Sequence, residues 1–325
     1  MRQFLAAALF TVVPAVGSAD IATAVDTHVI PGFQAFAEAT AVLDQAASDS
    51  CATDDIAEAY HNAFDAWLGV SHLTFGPIED MGLTLSFAFW PDPKDQTGKT
   101  LNRLIADEDP VALEPSAYAE VSVAAQGFFA LERTLFDTGS DSEYLCALTR
   151  AITSTLSANA AAVNAAWGTY AETVKSAGQE GNDRFRSPEE AQRALYTSLS
   201  TGLEFVHDQR LARPLGTFDR PRPRRAEARR SGRSLQNVAV SLAALRNLAV
   251  ALGDSQVPEA EAAFDSALGR ASQLDDPVFE GVADPAGRLR VEALQLQVRA
   301  AQIAVANEIG ARYGISAGFN ALDGD

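Results

Sequence analysis

Gln126-Gly127-Phe128-Phe129-Ala130-Leu131-Glu132-Arg133 lies inside an apolar-periodic run, with Val121, Val123, Phe128, Leu131 and Leu135 recurring at helical spacing. On a helix, Phe129 and Glu132 share a face. Gly127 lacks a side chain, so another backbone or a ligand can come close. A carboxylate beside Phe128 and Phe129 is paired, hydrated or bound to a cation. Taken alone, Glu132 reads as a surface carboxylate with Arg133 next to it.

The same periodicity continues on both sides and sets the fold class. Residues 20–47 carry Val25, Val29, Phe33, Phe36 and Val42 on overlapping faces. Asp54 and Asp55 suit the start of a second helix through Tyr60, Phe64, Trp67 and His72. An irregular, aromatic stretch is expected over 81–97, then a short helix near 99–106 and a helix over 115–136 carrying Glu132. A long helix fits 143–176, and Ser187-Pro188-Glu189-Glu190 opens another that runs to about Leu211. Further helices fit 231–251, 258–273 and 285–313. With abundant alanine and few alternating stretches, the expectation is an all-α protein. Gly178-Gln179-Glu180-Gly181-Asn182 reads as a linker, giving two packed helical bundles, 20–177 and 187–325.

The hydrophobic fraction of 47% allows a real core, and the net charge of -18 repels nucleic acid and anionic membranes. Residues 1–19, MRQFLAAALFTVVPAVGSA, read as a signal peptide: Arg2, then an apolar core, then Gly17-Ser18-Ala19 as a cleavage site. No other apolar run of spanning length follows, so no membrane span is expected after its removal. Cys51 and Cys146 are the two cysteines, and an exported chain of this kind is expected to pair them.

Nine arginines fall within Arg210–Arg233, with none of the three lysines and only Asp219 and Glu227 against them. Arginine suits the gripping of carboxylate or phosphate, while the plainer reading is salt bridging to the chain's own acidic faces. Arg230 and Arg233 flank Ser231-Gly232, a turn able to present backbone N–H groups with guanidinium forks. Both are expected to point between the bundles rather than outward, with Arg233 a partner for Glu132. Two Glu-x-x-His pairs, Glu58 with His61 and Glu204 with His207, have the spacing of di-iron bundles, but the linker puts them in different bundles. His28 and His72 read as isolated. There is no His-Glu-x-x-His zinc motif, nucleophile triad order or Gly-rich phosphate loop.

Several stretches together resemble the imelysin-like family of exported bacterial proteins. Trp67 through Phe75-Gly76-Pro77-Ile78 looks like its W…FGP segment, and Phe89-Trp90-Pro91-Asp92 like its FWPD. Gln126–Glu132 falls where the family's G-x-H-x-x-E motif belongs. Arg213-Pro214-Leu215-Gly216 and Arg230-Ser231-Gly232-Arg233-Ser234-Leu235 match its second-half signatures, and Gly318-Phe319-Asn320 through Asp323-Gly324-Asp325 its C-terminal GFN…DGD. The resemblance covers nearly all of the expected mature chain. It implies two helical bundles with a cleft between them, lined by these motifs, and a periplasmic or outer-surface role linked to iron supply. The ligand pocket would be built from Trp67, Phe75, Gly76, Pro77, Trp90, Asp92, Gly127, Phe129, Glu132, Arg230, Ser231, Arg233 and Ser234. Iron or another divalent metal is the implied ligand, Glu132 the implied metal residue, and another periplasmic iron-uptake protein a possible partner. The chain departs from the family at Phe129, which stands where the motif has His. Phe cannot ligate a metal, and a zinc peptidase needs three protein ligands. The reading is therefore a non-catalytic binding or accessory component of iron acquisition, with a metallopeptidase and a structural partner of another exported protein as alternatives.

Overall fold

The computed structural model describes residues 16–137 and 142–315. The expected leader falls outside them except for Val16–Ala19, and so does the Gly318–Asp325 tail. The all-α expectation holds: among the described residues there is no strand, only one isolated bridge between Thr217 and Arg220.

Helix α1 (Val16–Ala24) passes through a π-helical turn, Val25–Val29, into α2 (Ile30–Asp49). Asp54 and Asp55 occupy the first turn of α3 (Thr53–Val70), where carboxylates complement the helix dipole. Ser142 starts α9 (Glu143–Lys175) by accepting the Leu145 N–H at 3.0 Å. Helix α9 packs along α2, which also packs on α3. The shared core holds Phe33, Phe36, Phe64 and Trp167, all buried. The Cys51–Cys146 disulfide ties the α2–α3 junction to the start of α9.

Between α3 and α9 run α4 (Pro77–Asp80), α5 (Thr84–Phe87), α6 (Gln96–Asp107), α7 (Pro115–Tyr118) and α8 (Gly127–Phe136). The continuous helix expected over 115–136 is broken. Tyr118 ends α7, Ser122 caps a short 3-10 turn at Val123–Ala125, and the chain restarts as α8 at Gly127. Gly127 has φ +69°, which no helix interior accommodates. The irregular stretch over 81–97 also contains one ordered turn, α5.

The second half contains α10 (Pro188–Glu204), α11 (Ala212–Leu215), α12 (Ser234–Leu252), α13 (Pro258–Ser272) and α14 (Pro285–Val305). Both expected long helices widen before their ends into π turns, Phe205–Leu211 after α10 and Ala306–Gly310 after α14. Helix α13 packs on α12 and α14, while α12 also packs on α3 and α1. Helix α12 is long and apolar enough to cross a membrane, but Leu242, Leu245, Leu248 and Leu252 are buried inside the protein.

Candidate functional site

Helix α8 is placed by its first residue. A Cβ on Gly127 would press into the carbonyl oxygens of Ser86 and Phe87, so the close approach is to backbone. Gln126 fixes the preceding loop through its amide, which donates to the carbonyls of Ala119 at 3.1 Å and Val121 at 2.8 Å. Phe128 stacks on Phe64 at 4.5 Å, and Phe129 meets Phe64 edge-on at 5.7 Å. This packing turns Glu132 inward, where it is 1% exposed. Its Oε1 accepts the Ser231 N–H at 2.9 Å and the Ser231 hydroxyl at 2.8 Å. Burial pushes the carboxyl pKa up, against the opposing pull of the Ser231 donors and Arg230. The surface reading of Glu132 is thus overturned, because the Ser231 turn covers it.

That turn distributes its arginines differently from expectation. Arg230 pairs with Asp137 and lines a cavity next to Glu132. Arg233 does not reach Glu132. It is 3% exposed, pairs with Asp65, and donates to Asn237 Oδ1 at 2.8 Å and to His61 Nδ1 at 3.0 Å. Its guanidinium lies 4.6 Å above the Phe64 ring. Arg233 therefore ties α12 to α3, because Asp65 and Asn237 offer acceptors within reach.

Two cavities meet at Trp90 and Phe129, whose rings are nearly parallel at 6.3 Å. One, of about 250 Å³, has Asp92 and Glu132 on one side and Arg213 and Arg230 on the other. The second, of about 340 Å³, is mainly apolar, lined by Trp67, Leu85, Phe205 and Leu245 among others. Asp92 is a helix-start acceptor, taking the N–H groups of Gln96 at 2.9 Å and Thr97 at 2.8 Å. Trp67, Trp90, Asp92, Phe129, Glu132 and Arg230 are thus brought to these cavities.

Other expected pocket residues are not. Phe75 packs edge-on against Trp167 at 5.5 Å, Gly76 lies against Tyr170, and Pro77 begins α4. Gly127 and Ser231 shape the site from behind it. Ser234 is buried and donates its hydroxyl to the Glu227 carbonyl.

Sequence reasoning missed two polar clusters. His28 and His72, read as isolated, are in contact through their Nε2 atoms at 2.9 Å. Each ring borders a different cavity. Arg210 and Glu227 form a buried pair at 2.6 Å, and Asn237 donates to the same carboxylate at 2.9 Å. Their sequence separation left no local signal. Nor did anything mark Thr97, which borders the arginine-lined cavity. Of the Glu-x-x-His pairs, Glu58 is exposed while His61 turns to Arg233, so the two do not act together.

The resemblance implies a divalent metal at Glu132, and the residues present do not fit one. Phe129 offers no donor atom, both Ser231 donors occupy one oxygen of Glu132, and the cavity lining is rich in guanidinium groups. Among the described residues no three or more His, Cys, Asp or Glu side chains are grouped to hold a metal ion.

With this geometry in hand, comparison with known proteins is specific. The family model described as Imelysin, carrying the peptidase M75 designation, matches residues 29–305. An imelysin-like protein from Psychrobacter arcticum 273-4 superposes with a TM-score of 0.78 at 18% identity, covering 93% of this chain and 97% of that one. A protein from Parabacteroides distasonis ATCC 8503, described as an iron-regulated protein A precursor, gives a TM-score of 0.72 at 14% identity, covering 90% and 95%. No curated protein matches the sequence.

Proposed function

This chain belongs to the imelysin family, and from that premise we propose that it is a non-catalytic, exported binding or accessory component of iron acquisition. One observation carries the reading. The motif carboxylate, Glu132, is closed off by Ser231 with Phe129 in the imidazole's place, yet a cavity remains beside it. Hydrolysis of a peptide by a metal needs several protein ligands and an activated water, and the carboxylates here, Asp92, Asp95 and Glu132, are each already engaged within the protein. A binding role needs only the cavity and its lining. The iron-regulated Parabacteroides relative supports the link to iron. The Cys51–Cys146 disulfide supports an oxidising compartment, the periplasm.

The test is biochemical. Purified protein is assayed for bound iron and zinc, then incubated with unfolded protein substrates with and without a chelator. The proposal expects no chelator-sensitive cleavage. Cleavage abolished by chelator and by Glu132→Ala would establish the metallopeptidase instead. Failure to bind any iron species, together with co-purification of an exported partner, would favour a structural subunit.

A further inference from the structure

The cavity beside Glu132 has an unbalanced lining. Its three carboxylates are all engaged: Asp92 with two backbone N–H groups, Asp95 with Arg133 at 3.0 Å, and Glu132 with Ser231. Its arginines are engaged only in part: Arg133 pairs with Asp95 and Arg230 with Asp137. Arg224, Arg225 and Arg229 have no side-chain hydrogen bond or ion pair among the described residues. Arg213 makes one long contact, to Gln209 at 3.4 Å, and its guanidinium lies 5.6 Å from the Trp90 ring. Burial and the neighbouring Arg225 charge lower the Arg213 pKa, the mark of guanidinium groups crowded without a counterion.

Two buried donors belong to residues that line this cavity. Arg213 Nε and the Thr97 hydroxyl are both enclosed and both lack a hydrogen-bond partner. Thr97 is 4% exposed, so solvent does not meet its need. Buried donors are paired in nearly all proteins, and two orphans bordering one cavity call for an acceptor inside it. A surplus of cations with unpaired donors, in a chain of net charge -18, is the chemistry of anion recognition. The volume of about 250 Å³ admits a small molecule and not a folded partner.

We propose that this cavity binds a small, multiply charged oxyanion, a polycarboxylate or a phosphate compound, gripped by Arg213, Arg225 and Arg229 with the Thr97 hydroxyl. The anion is carried either alone or as the ligand shell of a metal, and only the second case rests on the iron reading above.

Calorimetry of the full exported protein tests this with four probes: iron-free citrate, inorganic pyrophosphate, acetate and ferric citrate. Citrate or pyrophosphate should bind at least tenfold tighter than acetate, and whichever binds better identifies the carboxylate or phosphate source. Arg213→Gln and Thr97→Val should each weaken that binding about tenfold or more, with Thr97→Ser restoring it. Arg222→Gln, exposed and outside the cavity, should leave it unchanged. Circular dichroism of each variant separates lost binding from lost folding. No binding of either iron-free polyanion, or equal loss in Arg222→Gln, overturns the proposal. Ferric citrate binding no tighter than citrate would keep the anion site and remove iron as its cargo.

Discussion

The Nε2 atoms of His28 and His72 lie 2.9 Å apart in the interior, so one ring donates a proton to the other and the pair is neutral as a unit. Burial holds the His28 pKa down to about 4, and holds His72 well below the ordinary value, helped by His28 and Arg210. In the unfolded chain both titrate near 6.5, so the unfolded state binds more protons as pH falls below that value. Stability is therefore fully present above pH 6.5 and is lost as pH falls toward 4. The His28 shift alone corresponds to roughly 3 kcal/mol across that window. Urea midpoints measured from pH 7.5 to 5 should fall with acid in the wild type. They should be flatter in a His28→Gln, His72→Gln double variant, and parallel slopes would rule out this role for the pair.

Glu132 and Ser231 give a second expectation. Ser231→Ala removes one of two donors to a buried carboxylate and should cost about 1–2 kcal/mol. Glu132→Ala also leaves a void and should cost about 2–4 kcal/mol. Because burial raises the Glu132 pKa, its ionised form weakens the fold at neutral pH. Glu132→Gln should then be near neutral at pH 7. Denaturation curves check the order, and an Ala effect below about 0.5 kcal/mol would return Glu132 to the surface category.

Arg233 holds Asp65, Asn237 and the Phe64 face at once. Arg233→Ala leaves buried Asn237 without its donor and Asp65, about a third exposed, to water, and should cost about 2–3 kcal/mol. Arg222 is exposed, and Arg222→Ala should change stability by less than about 0.5 kcal/mol. Equal melting temperatures for the two variants would show that the α3–α12 tie carries no weight.

Gly127→Ala should be among the most damaging single changes. It combines a positive φ with a Cβ forced against the carbonyls of Ser86 and Phe87, so a loss of about 3 kcal/mol or more is expected. Gly82 also has a positive φ but has nothing near its Cβ position. Gly82→Ala should therefore cost only about 1 kcal/mol, for the backbone alone. A smaller effect at Gly127 than at Gly82 would mean that the α5–α8 approach is soft.

Phe129→His restores the motif pair on one helix face, three residues from Glu132. At neutral pH the imidazole is largely uncharged, and zinc affinity by calorimetry should rise by about tenfold over a weak wild type. The rise is limited because Ser231 already holds one oxygen of Glu132. Tight stoichiometric zinc binding by the wild type, lost on Glu132→Ala, would show that other residues replace the missing ligand. No gain in Phe129→His would show that the site has lost more than one donor.

The helices were legible because periodicity is local: the runs around Phe64, Leu156 and Leu242 each reveal their own buried face. The break at Gly127 was within reach, since a glycine preceding an apolar run is a start as readily as an interior residue. The burial of Glu132 was not, because the turn that covers it lies 99 residues away. The histidine pair is separated by 44 residues and gives no periodic sign. The density of arginine in Arg210–Arg233 was plain in the sequence. Which of them are engaged depends on Asp65, Asp137 and Glu227, positions that only folding brings close.

The Cys51–Cys146 bond closes a covalent ring spanning a separation of 95 residues. Trp67, Trp90, Asp92, Thr97, Phe129 and Glu132 all lie within the ring, and Arg213 through Arg233 lie on open chain outside it. The arginine-lined cavity is thus a meeting of a loop and a strand of thread, assembled across a topological boundary. A single backbone cut inside the ring frees no fragment, whereas a cut between α9 and α10 separates the two walls. Opening so long a loop by reduction removes about 4–5 kcal/mol of constraint on the unfolded chain. The fold is therefore most secure where thiols oxidise, and reduction shifts the balance toward the unfolded chain.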